Sequence, residues 1–352
     1  MANNNNTKNL NVPTLRFPEF KGEWNSVIYK SLFTIGNGRD YRHLASGHIP
    51  VFGTGGLITT VNDYLYKGET VFIGRKGTIN KPFYFNGEFW TVDTLFYTHS
   101  FTNIIIPKFV LYLFQNTNWL KLNEASGVPS LSKSTIEQIS CNIPSVLEQN
   151  KIACLLSLLD ERIETQSKII EDLKKLKSSL LDLLFQNNSK WSTFGISEVL
   201  TIGNGRDYKH LKEGNIPVYG TGGYMLSVND YLYEGESVCI GRKGTIDMPM
   251  FLTGKFWTVD TLFYTYNFRN ILPRFCYYLF TTINWQRYNE ASGVPSLSKA
   301  TIEKIKVSVP SINEQEYICS ILDSINNKID VEKAILARLK KQKQYLLQHM
   351  II

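Results

Sequence analysis

The sequence predicts a mixed α/β (α+β) protein: two globular domains separated by two long antiparallel coiled-coil helices, with an internal pseudo-twofold repeat. Three observations carry that expectation. The sequence copies itself at a spacing of 167 residues. Each copy opens in Gly- and aromatic-rich punctuation that reads as short strands and turns. Each then closes in a stretch without Gly or Pro whose apolar residues alternate spacings of four and three. With 352 residues, 43% hydrophobic and 20% charged, the chain has room for two ordinary domains with a core in each.

The repeat is read directly. TIGNGRDY at 34–41 returns at 201–208, VNDYLY at 61–66 at 228–233, IGRKGTI at 73–79 at 240–246, and FWTVDTLFYT at 89–98 at 256–265. One residue is lost between Asn103 and Pro107, after which NEASGVPSLSK at 123–133 returns at 289–299. Units of this size are domains rather than solenoid repeats. The expected layout is an N-terminal tail over 1–20, a first domain over 21–147, a central helix over 148–187, a second domain over 188–313 and a C-terminal helix over 314–352.

In the first helix the stripe is Ile152, Leu156, Leu159, Ile163, Gln166, Ile170, Leu173, Lys177, Leu180 and Leu184. The second repeats it with Ile318, Leu322, Ile325, Ile329, Glu332, Leu336, Leu339, Lys343, Leu346 and Met350. Each stripe can pack on its own domain or on the other helix. Its narrowness and its run of five heptads favour the helix pair. The polar interruptions coincide, Gln166 with Glu332 and Lys177 with Lys343. In an antiparallel pair with aligned centres Gln166 faces Glu332, where a polar contact costs stability but fixes register.

Common catalytic signatures are missing: no G-x-x-x-x-G-K-[ST], no Asn-Pro-Pro-aromatic or Asp-Pro-Pro-aromatic tetrapeptide, no H-E-x-x-H and no G-x-S-x-G. Of five histidines only His43 and His210 correspond between copies; they read as hydrogen-bonding or phosphate-contacting groups rather than catalysts. Asp93 and Asp260 read as buried turn or strand-end carboxylates, because no second acid completes a metal site. The five cysteines never form C-x-x-C and leave an odd one over, which suits a reducing compartment. No apolar run approaches the ~18 to 20 residues of a membrane span. The expectation is a soluble cytoplasmic protein.

Polar, Gly-rich loops remain. GTGG at 53–56 and 220–223, containing Thr54 and Thr221, suits either close approach to a phosphate or a tight turn. GRKGT at 74–78 and 241–245 presents two cations between glycines. Arg75 and Arg242 suit a guanine edge and Lys76 and Lys243 suit phosphates, the alternative being a solvated hairpin tip. NGRDY adds Arg39 and Arg206, with Asp40 and Asp207 beside them as intramolecular partners. The net charge is +7, but 34–100 holds six basic and five acidic residues and 201–267 six and seven, so recognition would be by local loops. Residues 268–313 hold six basic against two acidic, which points to added phosphate contacts in the second copy.

VPTLRFPEFKGEW at 12–24, SGVPSLSKSTIEQISCNIPSVLEQNKIA at 126–153 and its echo SGVPSLSKATIEKIKVSVPSINEQEYI at 292–318 resemble the DNA-specificity (S) subunits of type I restriction-modification systems. The resemblance covers nearly the whole chain. It implies that each globular domain is a target recognition domain for one half of a split double-stranded DNA site. It also implies that the helices are a ruler docking methyltransferase (modification) subunits, two of them, alongside restriction subunits. No cofactor is expected in this chain; S-adenosylmethionine, ATP and Mg are implied for the partners. Here the two domains are near copies, so an interrupted, near-palindromic target is expected, broken where His48/Asn215, Lys67/Glu234, Asn80/Asp247, Lys81/Met248 or Tyr84/Phe251 touch a base. The competing readings are a nuclease or methyltransferase with unfamiliar motifs and a helical adaptor that binds proteins.

Overall fold

The computed structural model describes residues 11–186 and 190–352, so the first half of the expected N-terminal tail lies outside the described residues. It divides into two compact units, one made of Met1–Ser167 with Ala334–Ile352 and the other of Lys168–Lys333.

In the first unit six strands form one sheet in the spatial order Thr34–Asn37, Leu95–His99, Tyr66–Gly74, Phe83–Thr91, Ser46–Gly53, Gly56–Val61. Neighbours are antiparallel except Ser46–Gly53 against Phe83–Thr91, which pair in parallel at Val51↔Trp90 and Phe52↔Thr91. The period-2 alternation of strand side chains builds two cores. Val71 and Ile73 face a cluster with Phe109, Val110 and Leu113 of the helix Pro107–Asn116. Phe72, between them, enters a second cluster with Phe89 and Leu95.

The second unit repeats this order with a break. Thr201–Asn204, Leu262–Tyr266, Ser237–Gly241 and Met250–Leu252 make one sheet, and Gly223–Val228, Glu213–Gly220, Lys255–Thr258 and Tyr233–Glu234 another. The nine-residue strands Tyr66–Gly74 and Phe83–Thr91 are thus each interrupted in the copy. In the first unit the Tyr84 hydroxyl donates to the Glu69 carboxylate across this pair. The second unit has Phe251 at the equivalent position, which has no hydroxyl to donate, and the turn at Gly254 is left-handed at φ +77°.

The long helices are Val146–Leu184 and Ile312–Met350, 39 residues each. Every position of both expected stripes is buried or half-buried. The packing combines the two readings. Ile152, Ala153 and Leu156 enter the core of the first helix's own domain, and Leu346, Leu347 and Met350 of the C-terminal helix, with Ile351 just past it, pack there too. Within this unit the helices run antiparallel, with Lys343 paired to Asp160 while Met350 meets the Ile152 level. In the second unit Ile318 and Leu322 occupy the core, joined by Leu180, Leu181 and Leu184. Gln166 and Glu332 are buried at 8% and 6% exposure, and Glu332 pairs with Lys328 at 2.6 Å.

The E-Q pair of each copy has a structural reason. Gln149, fully buried, accepts from Ile106 N (3.0 Å) and donates to Ile104 O (2.8 Å) and Pro144 O (2.9 Å). Gln315 makes the same bonds to Leu272, Asn270 and Pro310 at 2.7, 2.9 and 3.0 Å. One amide satisfies three backbone groups that burial would otherwise leave unpaired, and ties each long helix to its domain.

Candidate nucleic-acid interface

Three loops that are distant in sequence converge on one turn in each unit. In the first, Arg39 N donates to Thr91 O (2.7 Å), Arg75 N and Lys76 N both donate to Thr94 O (2.8 and 3.2 Å), and Val92 N donates to Phe52 O (3.1 Å) just before the Gly-rich turn. Thr54 lies beside Gly77, its hydroxyl oxygen 3.8 Å from where a Cβ on Gly77 would stand. The Arg39 loop is also held from below, where Trp90 Nε1 donates to Arg39 O at 2.9 Å.

The second unit reproduces the arrangement. Arg206 N donates to Thr258 O (2.8 Å), Arg242 N and Lys243 N to Thr261 O (2.8 and 3.3 Å), and Trp257 Nε1 to Arg206 O (2.8 Å). Thr221 stands 3.5 Å from the equivalent point on Gly244. All eight residues picked from the sequence therefore fall into two equivalent clusters: Arg39, Thr54, Arg75 and Lys76, and Arg206, Thr221, Arg242 and Lys243. The arginines and lysines are exposed and the threonines half-buried.

The GRKGT segment is not a free hairpin tip. Gly77 and Gly244 adopt φ +93° and +96°, a region that favours glycine, and donate to Pro129 O and Pro295 O at 2.8 Å. Lys76 bridges to Ser130 and Lys243 to Ser296. The arginine side chains lean on the fold as well: Arg75 lies 5.8 Å from the Phe96 ring centre and Arg242 6.0 Å from that of Phe263. A pinned backbone with exposed cationic ends holds donors in place at little ordering cost when an anion arrives. The SGVPSLSK segment, known from the sequence as a repeated block and a mark of resemblance but not as a site element, forms the other wall. A cleft of about 570 Å³ in the first unit is lined by Asn37, Arg75, Lys76, Asp93, Ser130 and Lys133 among others. Its duplication, unchanged like that of GRKGT, was the available signal.

Several expectations are corrected. Asp93 and Asp260 are exposed on the turn rather than buried, since their backbone, not their carboxylate, holds the arginines: Asp93 O accepts from Arg75 Nη1 at 3.3 Å and Asp260 O from Arg242 at 3.4 Å. Asp40 meets Arg42 at 4.0 Å rather than Arg39. Four of the six cations in 268–313 are held internally. Arg269 donates to Ser197 O, Glu198 O and Leu200 O, Arg274 pairs with Asp323 (2.6 Å), Lys299 with Glu303 (3.7 Å) and Lys306 with Glu198 (3.4 Å). The Lys67/Glu234 difference is structural: Lys67 pairs with Glu88 at 2.9 Å, and the copy inverts both charges as Glu234 and Lys255 at 3.7 Å. His43 and His210 lie edge-on to Trp90 and Trp257, with ring centres 5.7 and 5.8 Å apart.

The family described as the type I restriction modification DNA specificity domain matches residues 21–175 and again 188–341. The chain belongs to this family. The MjaVIII specificity subunit of Methanocaldococcus jannaschii is 23% identical over 68% of this chain and 69% of that protein. A putative type I restriction enzyme specificity subunit of Haemophilus influenzae is 28% identical over 32% of this chain, and the match spans 30% of that relative's length. The fold is shared with a type I restriction-modification S subunit from M. genitalium, at a TM-score of 0.72 and 19% identity, covering 97% of this chain and 99% of that one. A second likeness, from work on assembly of a type I R-M system, has a TM-score of 0.58 at 14% identity and covers 92% and 96%. Among the described residues of this specificity-family chain no group of three His, Cys, Asp or Glu side chains is placed to hold a metal, and no helix is long and apolar enough to cross a membrane.

Proposed function

We propose that this chain is the DNA-reading, non-catalytic subunit of a type I restriction-modification complex, each unit contacting one half of a split double-stranded site. The observation that carries the reading is the twofold construction of one exposed cationic cluster, Arg39–Arg75–Lys76 and Arg206–Arg242–Lys243, on identical backbone supports. Arginine at a fixed loop suits a guanine edge and lysine a phosphate. Because like loops read like bases, the target is an interrupted site with two near-identical, inverted halves. Methyl transfer from S-adenosylmethionine is the work of modification subunits, two per chain, and ATP- and Mg-dependent cleavage that of restriction subunits. Gln166 and Glu332, buried polar positions in apolar stripes, are assigned the role of setting helix register.

Sequencing of methylated DNA from cells with and without this gene tests the proposal. Loss of one bipartite methylated motif on deletion is the expected result; an unchanged methylation pattern contradicts it.

A further inference from the structure

We infer that the 46–61 hairpin of the first unit and the 213–228 hairpin of the second are base-reading ribbons, and that their divergence makes the two half-sites unequal at defined base positions. The inference rests on the DNA-reading function proposed above and assigns to it residues outside the arginine and lysine loops.

The two copies locate the surface. Around it they are identical: TIGNGRDY, IPV, GTGG and VNDYLY recur unchanged. Between those blocks Ala45 becomes Lys212, Ser46 becomes Glu213, His48 becomes Asn215, and Leu57–Thr60 (LITT) become 224–227 (YMLS). Every one of these positions is exposed or half-exposed in both units. Among the described residues none forms a charge-inverted bridge like Lys67–Glu88, and the one side-chain bond between changed positions, Tyr224 to Ser227, lies within the exposed hairpin itself.

Geometry joins this patch to the cationic cluster. Ile58 Cδ1 lies 2.7 Å from the point where a Cβ on Gly53 would stand, with Val92 3.5 Å from the same point. Met225 Sδ repeats this over Gly220 at 2.9 Å, with Val259 at 3.6 Å. The second tip residue of each hairpin therefore folds over the Gly-rich turn toward the loop that anchors the two arginines and the lysine. Leu57 and Tyr224, the residues before them, stand 63% and 62% exposed.

Large apolar side chains kept in water beside cations match what a groove offers: phosphates at the rim and thymine methyl groups on the floor. Leu57 has only apolar surface to present. Tyr224 brings a hydroxyl, 3.1 Å from Ser227 Oγ, that hydrogen-bonds as well as packs. The second hairpin also borders a cavity of about 840 Å³ lined by Lys209, Lys212, Tyr224 and Met225 among others. Lys212 adds there a cation that Ala45 does not supply in the first unit. The occupant is duplex DNA, because the patch continues the cationic cluster; Glu213 beside Lys212 leaves the net charge of the changed positions unaltered.

The test uses the chain assembled with its modification subunits, with methylated-site sequencing as the readout and thermal melting as the check on folding. The unaltered complex is expected to methylate a site whose halves match except at one or two base pairs. The double variant L57Y/I58M should shift the first half toward the second and reduce methylation of the original motif at least about tenfold; Y224L/M225I should do the reverse. K212A should leave the motif unchanged while weakening binding and flattening its salt dependence by about one counterion. A perfectly symmetric motif in the unaltered complex overturns the inference. So do hairpin variants that melt normally and methylate an unchanged motif, or ones that fail to assemble, which would make the patch a protein-docking surface. Absence of any specific methylation by the unaltered complex is failure of the proposed function itself.

Discussion

The two units agree where loops meet and disagree where helices do. Hydrogen-bond lengths in the NGRDY, GTGG and GRKGT loops agree to within about 0.1 Å between units, whereas the Trp–Glu anchor at the start of each long helix is held by different chemistry. Trp24 and Trp191 are equivalent, as are Glu148 and Glu314. In the second unit Trp191 Nε1 donates to Glu314 at 3.0 Å. In the first, Arg16 of the N-terminal segment takes the carboxylate with two bonds of 2.7 Å, Glu148 is 1% exposed, and the buried Trp24 Nε1 finds no acceptor among the described residues. Duplication kept the three loops that meet at the turn and the buried Gln149 and Gln315 ties, while the Trp–Glu anchor took a different partner in each unit.

The largest expected contrast is at those anchors. Glu148→Ala removes one half of a buried ion pair and should lower stability by about 3 to 5 kcal/mol, against about 1 to 2 for Glu314→Ala, which loses a single hydrogen bond to a carboxylate. Denaturant melts of the two variants measure it, and equal losses would contradict the difference in partners.

A smaller contrast lies at the equivalent stripe lysines. Lys343 pairs with Asp160, which also accepts from Tyr112 at 3.0 Å. In the second unit the neutral Asn326 stands at the position of Asp160, and the nearby Asp323 is taken by Arg274 (2.6 Å) and Tyr278. The Lys177 ammonium is pushed below its usual range by burial and then by the neighbouring Lys333, partly offset by Asp330 and Asp323, with Arg274 adding to the repulsion. Lys343→Met should cost about 1 to 2 kcal/mol, while Lys177→Met should leave the melting temperature unchanged or raise it. Because the folded state holds the Lys177 proton less tightly than the unfolded chain, its contribution to stability should rise with pH from the depressed folded value toward the ordinary lysine range. A Lys177→Met protein whose stability follows the same alkaline rise would refute that assignment.

How much was legible follows from the same contrast. The heptad stripes were readable because burial at 3.5-residue spacing is a sequence property, and the 39-residue helices lie within three residues of the stretches read. The eight loop residues stood out in the sequence because duplication marked them, and the fold brings them together in each unit; their contact with DNA belongs to the proposed function. The roles of Asp93 and Asp260 were not, since a carboxylate's neighbours in sequence do not reveal that its backbone carbonyl is the working atom. The internal pairing of Arg274 and Lys306 was equally hidden, because Asp323 and Glu198 lie 49 and 108 residues away.

The smallest expected effect is at the inverted bridge. Lys67→Glu alone should cost ~0.2 to 1 kcal/mol, and adding Glu88→Lys should restore it, as the second unit has done. A double variant no better than the single one would separate the two charges and reopen Lys67 as a DNA contact.

Equivalence of the two cationic clusters is what would give the two half-sites like bases. Base-position mapping of DNA bound by complexes carrying Arg75→Ala or Arg242→Ala tests it most directly. Each substitution should relax one base position, by about 5- to 150-fold in discrimination, and the two positions should be mirror-related in the motif. Relaxation at unrelated positions, or uniform weakening for one arginine and base-specific loss for the other, would contradict it.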